Sequence, residues 1–209
     1  MTRILLISGS LQVGSLHTAA LRTATRFPPP DITATLFDGL RSLPAFVPGE
    51  QVEPDAVAFM RHRVKAADAL LFSTPQYAGS LPGTLKNLLD WLVDGGDLDG
   101  KPVAWLSVTA PGYDEGAHTT LEAALGHGNA RLLRSACIRV PLSPGAADTN
   151  GIVADPQLHM ALADTLQALS RSVAASQVRQ QPSWEAYSSL YPVVQRRDPP
   201  AFRGGRPWS

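Results

Sequence analysis

Short runs of consecutive apolar residues recur along the chain, and between them apolar positions fall at helical spacing. Ile4-Leu5-Leu6-Ile7, Ala69-Leu70-Leu71-Phe72 and Val103 to Val108 lack the in-out alternation of a half-exposed strand, so they read as parallel strands covered on both faces. Ile32 to Phe37 and Ala136 to Val140 complete five predicted strands. Helices are predicted over 15–26, with Leu16, Ala19, Ala20 and Thr23 on one face, and over 54–67, with Val57, Met60, Val64 and Ala67 spaced for burial. Three more are predicted over 82–93, 117–130 and 156–176; Leu85, Leu88, Leu89 and Leu92 face the sheet from the first of these. Pro28-Pro29-Pro30 ends the first helix, and Pro82 suits the first turn of the third. Strands alternating with helices predict an α/β sandwich around a parallel sheet.

In such sheets a ligand lies outside the carboxyl ends of the strands, where strand order reverses. Segments 8–18, 74–80 and 109–118 each follow a strand and are expected to meet at that edge. The first carries the strongest signal: an apolar strand runs into Gly9-Ser10-Leu11-Gln12-Val13-Gly14-Ser15 and then a helix. The free N–H groups and partial positive charge of a helix N-terminus favour an anion there. Ser10 and Ser15 add hydroxyl donors, although helix capping alone would also use them. Gly9 and Gly14 have the spacing of a nucleotide-triphosphate loop, but Ser15 stands where that motif needs Lys and no Ser/Thr follows it to bind magnesium. The dinucleotide motif G-x-G-x-x-G is absent as well. A cradle of amides and hydroxyls with little positive charge suits one monoester phosphate, such as that of FMN.

Composition narrows the reading further. A chain of 209 residues is long enough for one three-layer core. Eighteen basic and 18 acidic residues give a formal net charge of +0, which argues against nucleic acid or an anionic membrane as partner. No apolar run is long enough to span a bilayer and no signal-peptide pattern opens the chain, so a cytoplasmic protein is expected. Cys137 has no second cysteine to pair with and reads as a small buried hydrophobe in the fifth strand. His118 and His127 read as surface residues, and no cluster with metal-ligand spacing is found. Nor is there a G-x-S-x-G nucleophile; flavin chemistry needs none, so no catalytic side chain is assigned. From Gln177 onward Pro182, Pro192, Pro199, Pro200 and Pro207 are mixed with five arginines and several aromatics. The expected division is a domain over 1–176 and a tail over 177–209, either disordered or docked as an arm.

Three motifs together resemble the NADPH-dependent FMN reductase family. They are Gly9-Ser10-Leu11-Gln12-x-Gly14-Ser15, Leu43-Pro44, and Pro75-Gln76-Tyr77-x-x-Ser80-x-Pro82-Gly83-x-Leu85-Lys86-Asn87-x-x-Asp90-Trp91. The resemblance covers about residues 3–175 and implies a flavodoxin-like three-layer sandwich with a five-stranded parallel sheet. It implies FMN as cofactor and NADPH or NADH as co-substrate, with electrons passing by ping-pong hydride transfer to flavin, quinone or a similar small acceptor. Carried over by position, Ser10, Gln12, Ser15, His17 and Thr18 would hold the phosphate. Pro75, Gln76, Tyr77 and Ser80 would lie along the ribityl chain and ring edge, and Thr109, Ala110, Pro111 and Gly112 on the other side of the ring. Lys86-Asn87-x-x-Asp90-Trp91 would fix the helix and a subunit contact, since family members are commonly homodimers or homotetramers.

Two departures carry weight. The family usually has Arg at the position of Gln12 and Asn at that of His17. Losing the charge at position 12 is expected to cost on the order of one charge-assisted hydrogen bond, about 1.5–3 kcal/mol, offset in part if His17 is protonated beside the phosphate. Asp114 and Glu115 put two acids in a loop that tends to be Gly-rich, which is expected to disfavour the phosphate of NADPH. These departures and the tail leave open an alternative: a degenerate, non-enzymatic partner or regulatory protein with weak or no FMN binding.

Overall fold

Strand β1 (Thr2–Ser8) sends Ile4 and Leu6 to one side of the sheet and Leu5 and Ile7 to the other, and all four are buried. A strand with both faces covered gains from apolar residues at every position, which accounts for the unbroken run in the sequence. The computed structural model describes residues 1–50 and 52–180. Its other strands are β2 (Ile32–Phe37), β3 (Ala69–Ser73), β4 (Pro102–Ser107), β5 (Arg131–Leu132) and β6 (Ile138–Arg139), all in parallel pairings. The order is β2-β1-β3-β4-β5, with β6 also pairing with β4. Strand order therefore reverses at β1, between its neighbours β2 and β3.

Helices α1 (Leu16–Arg26) and α5 (Pro156–Gln180) cover one face, against Ile4, Leu6, Ala69, Leu71, Ala104 and Leu106. The other face packs Leu5, Ile7, Leu70, Phe72 and Val103 against α2 (Asp55–Ala66), α3 (Gly83–Asp94) and α4 (Glu115–His127). The result is the expected three-layer sandwich of flavodoxin type. Residues Met1–Ala175 form one compact unit. Of the tail expected over 177–209, residues 177–180 continue helix α5, which thus ends later than predicted, and residues 181–209 lie outside the described residues.

The fifth strand differs from expectation. In place of one run over 136–140 there are two short strands flanking a 3-10 turn at Arg134–Ala136, making six strands among the described residues. β5 pairs with the start of β4 through Pro102 and Val103, and β6 pairs with its end through Leu106 and Ser107. The turn takes up the residues between these two registers, and it leaves Cys137 at its end rather than in a strand. Helix α4 starts and ends earlier than predicted. Asp114 takes the N-cap position, and Gly128 and Asn129 close the last turn, Asn129 at a φ of 54°. Pro82 precedes α3 as its N-cap instead of occupying its first turn, and its carbonyl accepts from Leu85 and Lys86 N–H.

The Lys86-Asn87-x-x-Asp90-Trp91 stretch also differs in part. Asn87 accepts from Phe46 N–H at 2.7 Å and donates to the Pro44 carbonyl at 2.8 Å, and Trp91 Nε1 donates to the same carbonyl at 3.1 Å. Trp91 is buried within its own chain with its ring edge-on to Phe46, so it anchors the Leu43-Pro44 loop to α3 and is not a surface for a second subunit.

Candidate functional site

Where β1 ends, Gly9 N–H donates to the Ser73 carbonyl at 2.8 Å, and any Cβ at Gly9 would overlap the Thr74 side chain. Only glycine lets the first loop pass this close to the end of β3. Beyond it, Ser8 Oγ shares a hydrogen bond with Thr18 Oγ1 at 2.7 Å and accepts from Ser10 N–H at 3.2 Å, and Ser10 Oγ accepts from Gln12 N–H at 3.3 Å. Serine and threonine hydroxyls thus pin the loop to the first turn of α1. The first bond of that helix runs from Ala19 N–H to the Ser15 carbonyl, so the N–H groups of Leu16, His17 and Thr18 precede its hydrogen-bond ladder. Ser15 is the N-cap and its side chain makes no capping bond.

A cavity of about 1220 Å³ opens over this helix start. Of the residues proposed from the sequence, Ser10, Gln12, Ser15, His17, Thr18, Pro75, Tyr77, Thr109 and Ala110 line it. The loops after β1, β3 and β4 therefore do meet at one edge. Gln76, Ser80, Pro111 and Gly112 are not among its lining. Gln76 Oε1 instead accepts from Ala117 N–H at 3.0 Å in the first turn of α4, and Ser80 Oγ bonds Thr120 Oγ1 at 3.1 Å. Both side chains tie the second loop to α4. Backbone bonds between Tyr77 and Ser80 close that loop into a tight turn, with Ala78 and Gly79 at positive φ, and Tyr77 is left half-exposed.

His17 does not supply the expected cation. Its ring is buried with Nδ1 3.0 Å from Ser73 Oγ, and burial drives its pKa down to about 4, against a smaller opposing pull from Asp114. The imidazole is therefore neutral at neutral pH. His118 is a second correction: it is buried rather than on the surface, stacked on Trp105 with ring centroids 4.0 Å apart. Burial lowers its pKa too, and both ring nitrogens lack a hydrogen-bond partner, Nδ1 lying 3.7 Å from Asp114 Oδ1. His127 is exposed, as expected. Cys137 is a half-buried thiol whose pKa is pushed up to about 11, chiefly by burial, which fits the small hydrophobe and not a redox thiol.

Of the two acids of the third loop, Asp114 turns inward and Glu115 stays exposed. Asp114 has no solvent exposure; it accepts from Ser107 Oγ and pairs with Arg139, whose Nη1 also donates to the Thr109 carbonyl at 2.9 Å and the Ala110 carbonyl at 3.3 Å. Glu115 accepts from Gly112 N–H at 2.6 Å and Asp114 N–H at 3.2 Å and lies 3.5 Å from Arg139. The Gly112 amide in particular holds its carboxyl below the usual range. Arg139 from β6 therefore staples the third loop and stands beside both acids. Among the described residues no group of three or more His, Cys, Asp or Glu is placed to hold a metal ion.

Sequence reasoning missed one wall of the cavity. Residues of the segment 141–151 line it, as do Arg22 of α1 and Arg41 of a 3-10 turn after β2 (Leu40–Ser42). The signal was present, because this Pro- and Gly-containing segment follows the last strand and so leaves the sheet at the same carboxyl edge. The arginines carried no such signal, since neither belongs to a motif.

This sheet order and its flanking helix layers define a flavodoxin-like protein, with a cavity at the carboxyl edge beside the serine-pinned loop. The chain belongs to the NADPH-dependent FMN reductase family, whose family model matches residues 2–138. Among relatives, an NAD(P)H-dependent FMN reductase of Pseudomonas aeruginosa is 33% identical over 174 residues, covering 80% of this chain and 92% of that protein. A quinone reductase of Escherichia coli is 31% identical over 106 residues, which is 48% of this chain and 56% of the relative. Among solved structures, the flavoenzyme NAD(P)H:(acceptor) oxidoreductase from Paracoccus denitrificans matches with a TM-score of 0.72 at 23% identity, over 84% of this chain and 98% of that one. At that identity the structural likeness bears on the fold.

Proposed function

We propose that this protein is an FMN-dependent NAD(P)H oxidoreductase that passes electrons from a nicotinamide to flavin, quinone or a similar small acceptor. The observation that carries the reading is the meeting of the loops after β1, β3 and β4 around one cavity at the start of α1, in a chain of this family. The residues present fit FMN. The amides of Leu16, His17 and Thr18 lie outside the helical ladder, the Ser15 hydroxyl has no capping duty, and the cavity is large enough for a nucleotide. Ser10, Gln12, Ser15 and Thr18 would hold the phosphate, and Pro75, Tyr77, Thr109 and Ala110 would border the ribityl chain and ring. Arg139 and Gln76 would fix the two ring-side loops from behind.

The chemistry that FMN supplies when bound is acceptance of hydride from NAD(P)H and release of electrons to the acceptor, in ping-pong order. The protein's own share is to position both partners in turn on one open face, beside the half-exposed Tyr77. The degenerate, non-enzymatic alternative is not favoured, because the relatives are named as reductases and the cradle retains its amides and hydroxyls. We assign the flavin-binding domain to residues 1–176 and a separate tail to 177–209; limited proteolysis that leaves an FMN-retaining core tests that boundary. We place the protein in the cytoplasm, where cell fractionation should find it; among the described residues no helix is long and apolar enough to cross a membrane.

The experiment is a visible spectrum of purified protein, loaded with FMN and titrated anaerobically with NADH or NADPH. Bleaching of the flavin band, and its return when a quinone is added, is the expected result. Protein that takes up no flavin overturns the proposal.

A further inference from the structure

The first loop lacks a cation: Gln12 is exposed and uncharged, and His17 is buried and neutral. A phosphate monoester carries close to two negative charges at neutral pH, so recognition by amides and hydroxyls alone leaves charge unmatched. Two arginines stand at the same cavity. Arg41 donates from Nη2 to the Leu11 carbonyl at 3.2 Å, which fastens its guanidinium to the loop itself. Arg22 sits one turn after Thr18 on α1, and helical side chains lean back over the preceding turn, here toward the helix start. Its guanidinium lies against Gly151, where any Cβ would collide with Nη1. Gly151 and Arg22 are thus in contact on the same wall of the cavity, and the glycine's φ of +71° is one that side chains rarely adopt.

Among the described residues, no carboxylate forms an ion pair with either arginine. Two acids, Asp38 and Asp148, also line the cavity, and Asp148 Oδ1 is engaged by the N–H groups of Asn150 and Ile152, each at 2.8 Å. We infer that Arg22 and Arg41 together recognise the flavin's phosphate in this chain, in place of a cation within the loop at position 12. The inference rests on the functional reading above and deepens it. Two guanidiniums from separate elements give planar donors at the cavity that opens over the helix start, where the serine hydroxyls and first-turn amides supply the rest. It also gives the 141–151 segment, which lies beyond the stretch matched by the family model, a place beside Arg22 on the cavity wall.

The test compares FMN with riboflavin, which lacks the phosphate, by fluorescence titration of the flavin-free full-length protein at several salt concentrations. Wild type is expected to prefer FMN, with an affinity that falls as salt rises. Arg22→Gln and Arg41→Gln should each weaken FMN by roughly tenfold or more and leave riboflavin unchanged, and the double variant should lose most of the salt dependence. Arg→Lys at either site should restore part of the loss, which separates the charge of Arg41 from its bond to Leu11. Glutamine variants that keep wild-type FMN affinity and salt dependence, with unchanged thermal melting, overturn the inference and leave the functional reading standing. A wild-type protein that binds neither flavin overturns both.

Discussion

His17 shows how one residue's burial changes its chemistry. At the sequence level it stood beside a phosphate site and suggested a cation; in the fold it points to Ser73, and loss of hydration keeps it neutral. The shift has a consequence for stability. The pKa falls from 6.5 to about 4 on folding, so above pH 6.5 neither state takes up the proton and the native structure has its full stability. As pH falls from 6.5 toward 4, the unfolded chain binds a proton that the native state does not, and roughly 3 kcal/mol of stability is lost. His118 is lowered as well and adds to the same slope. Urea unfolding across that range should therefore show a falling midpoint, and His17→Asn should flatten the curve while keeping a donor for Ser73. A slope unchanged in that variant would place the acid sensitivity elsewhere. Neither histidine's environment was legible in the sequence, because burial of one helix face by another layer is set by residues far along the chain.

The third loop makes the same point at the scale of elements. Its end at the carboxyl edge of β4 was legible, since apolar strands and polar post-strand segments announce it. What holds it was not legible: Arg139, on the short strand β6, reaches Ser107, Thr109, Ala110 and Asp114. Sequence pattern placed that strand as one continuous run, because the 3-10 turn that divides it contains Ala136, which is apolar and buried like a strand residue. Asp114 is wholly buried, so Arg139→Met should leave an uncompensated charge inside and destabilise by about 3–5 kcal/mol. Pairing it with Asp114→Asn should recover most of that loss in urea unfolding. A cost below about 1 kcal/mol for the single variant would show that the pair is not a structural staple.

For the whole molecule, the rim of the site suggests association. Val13, Tyr113 and Tyr77 are 96%, 72% and 49% exposed around the three loops, and apolar groups gathered at a site favour cover by a partner. We expect a homodimer or homotetramer, as the family resemblance implies, but with Trp91 inside each protomer instead of at the contact. Sedimentation at micromolar concentration checks this, and a monomer there would rule it out. Strand runs, helix faces and glycine-serine punctuation are local, and they were enough to indicate the three-layer fold, the carboxyl edge and the first loop of the cavity without coordinates. The protonation of His17, the burial of Asp114 against Arg139, and the arrival of Arg22 and Arg41 at one cavity were decided only when the chain packed. Each depends on desolvation or on charges brought together from distant segments, and no local pattern records either.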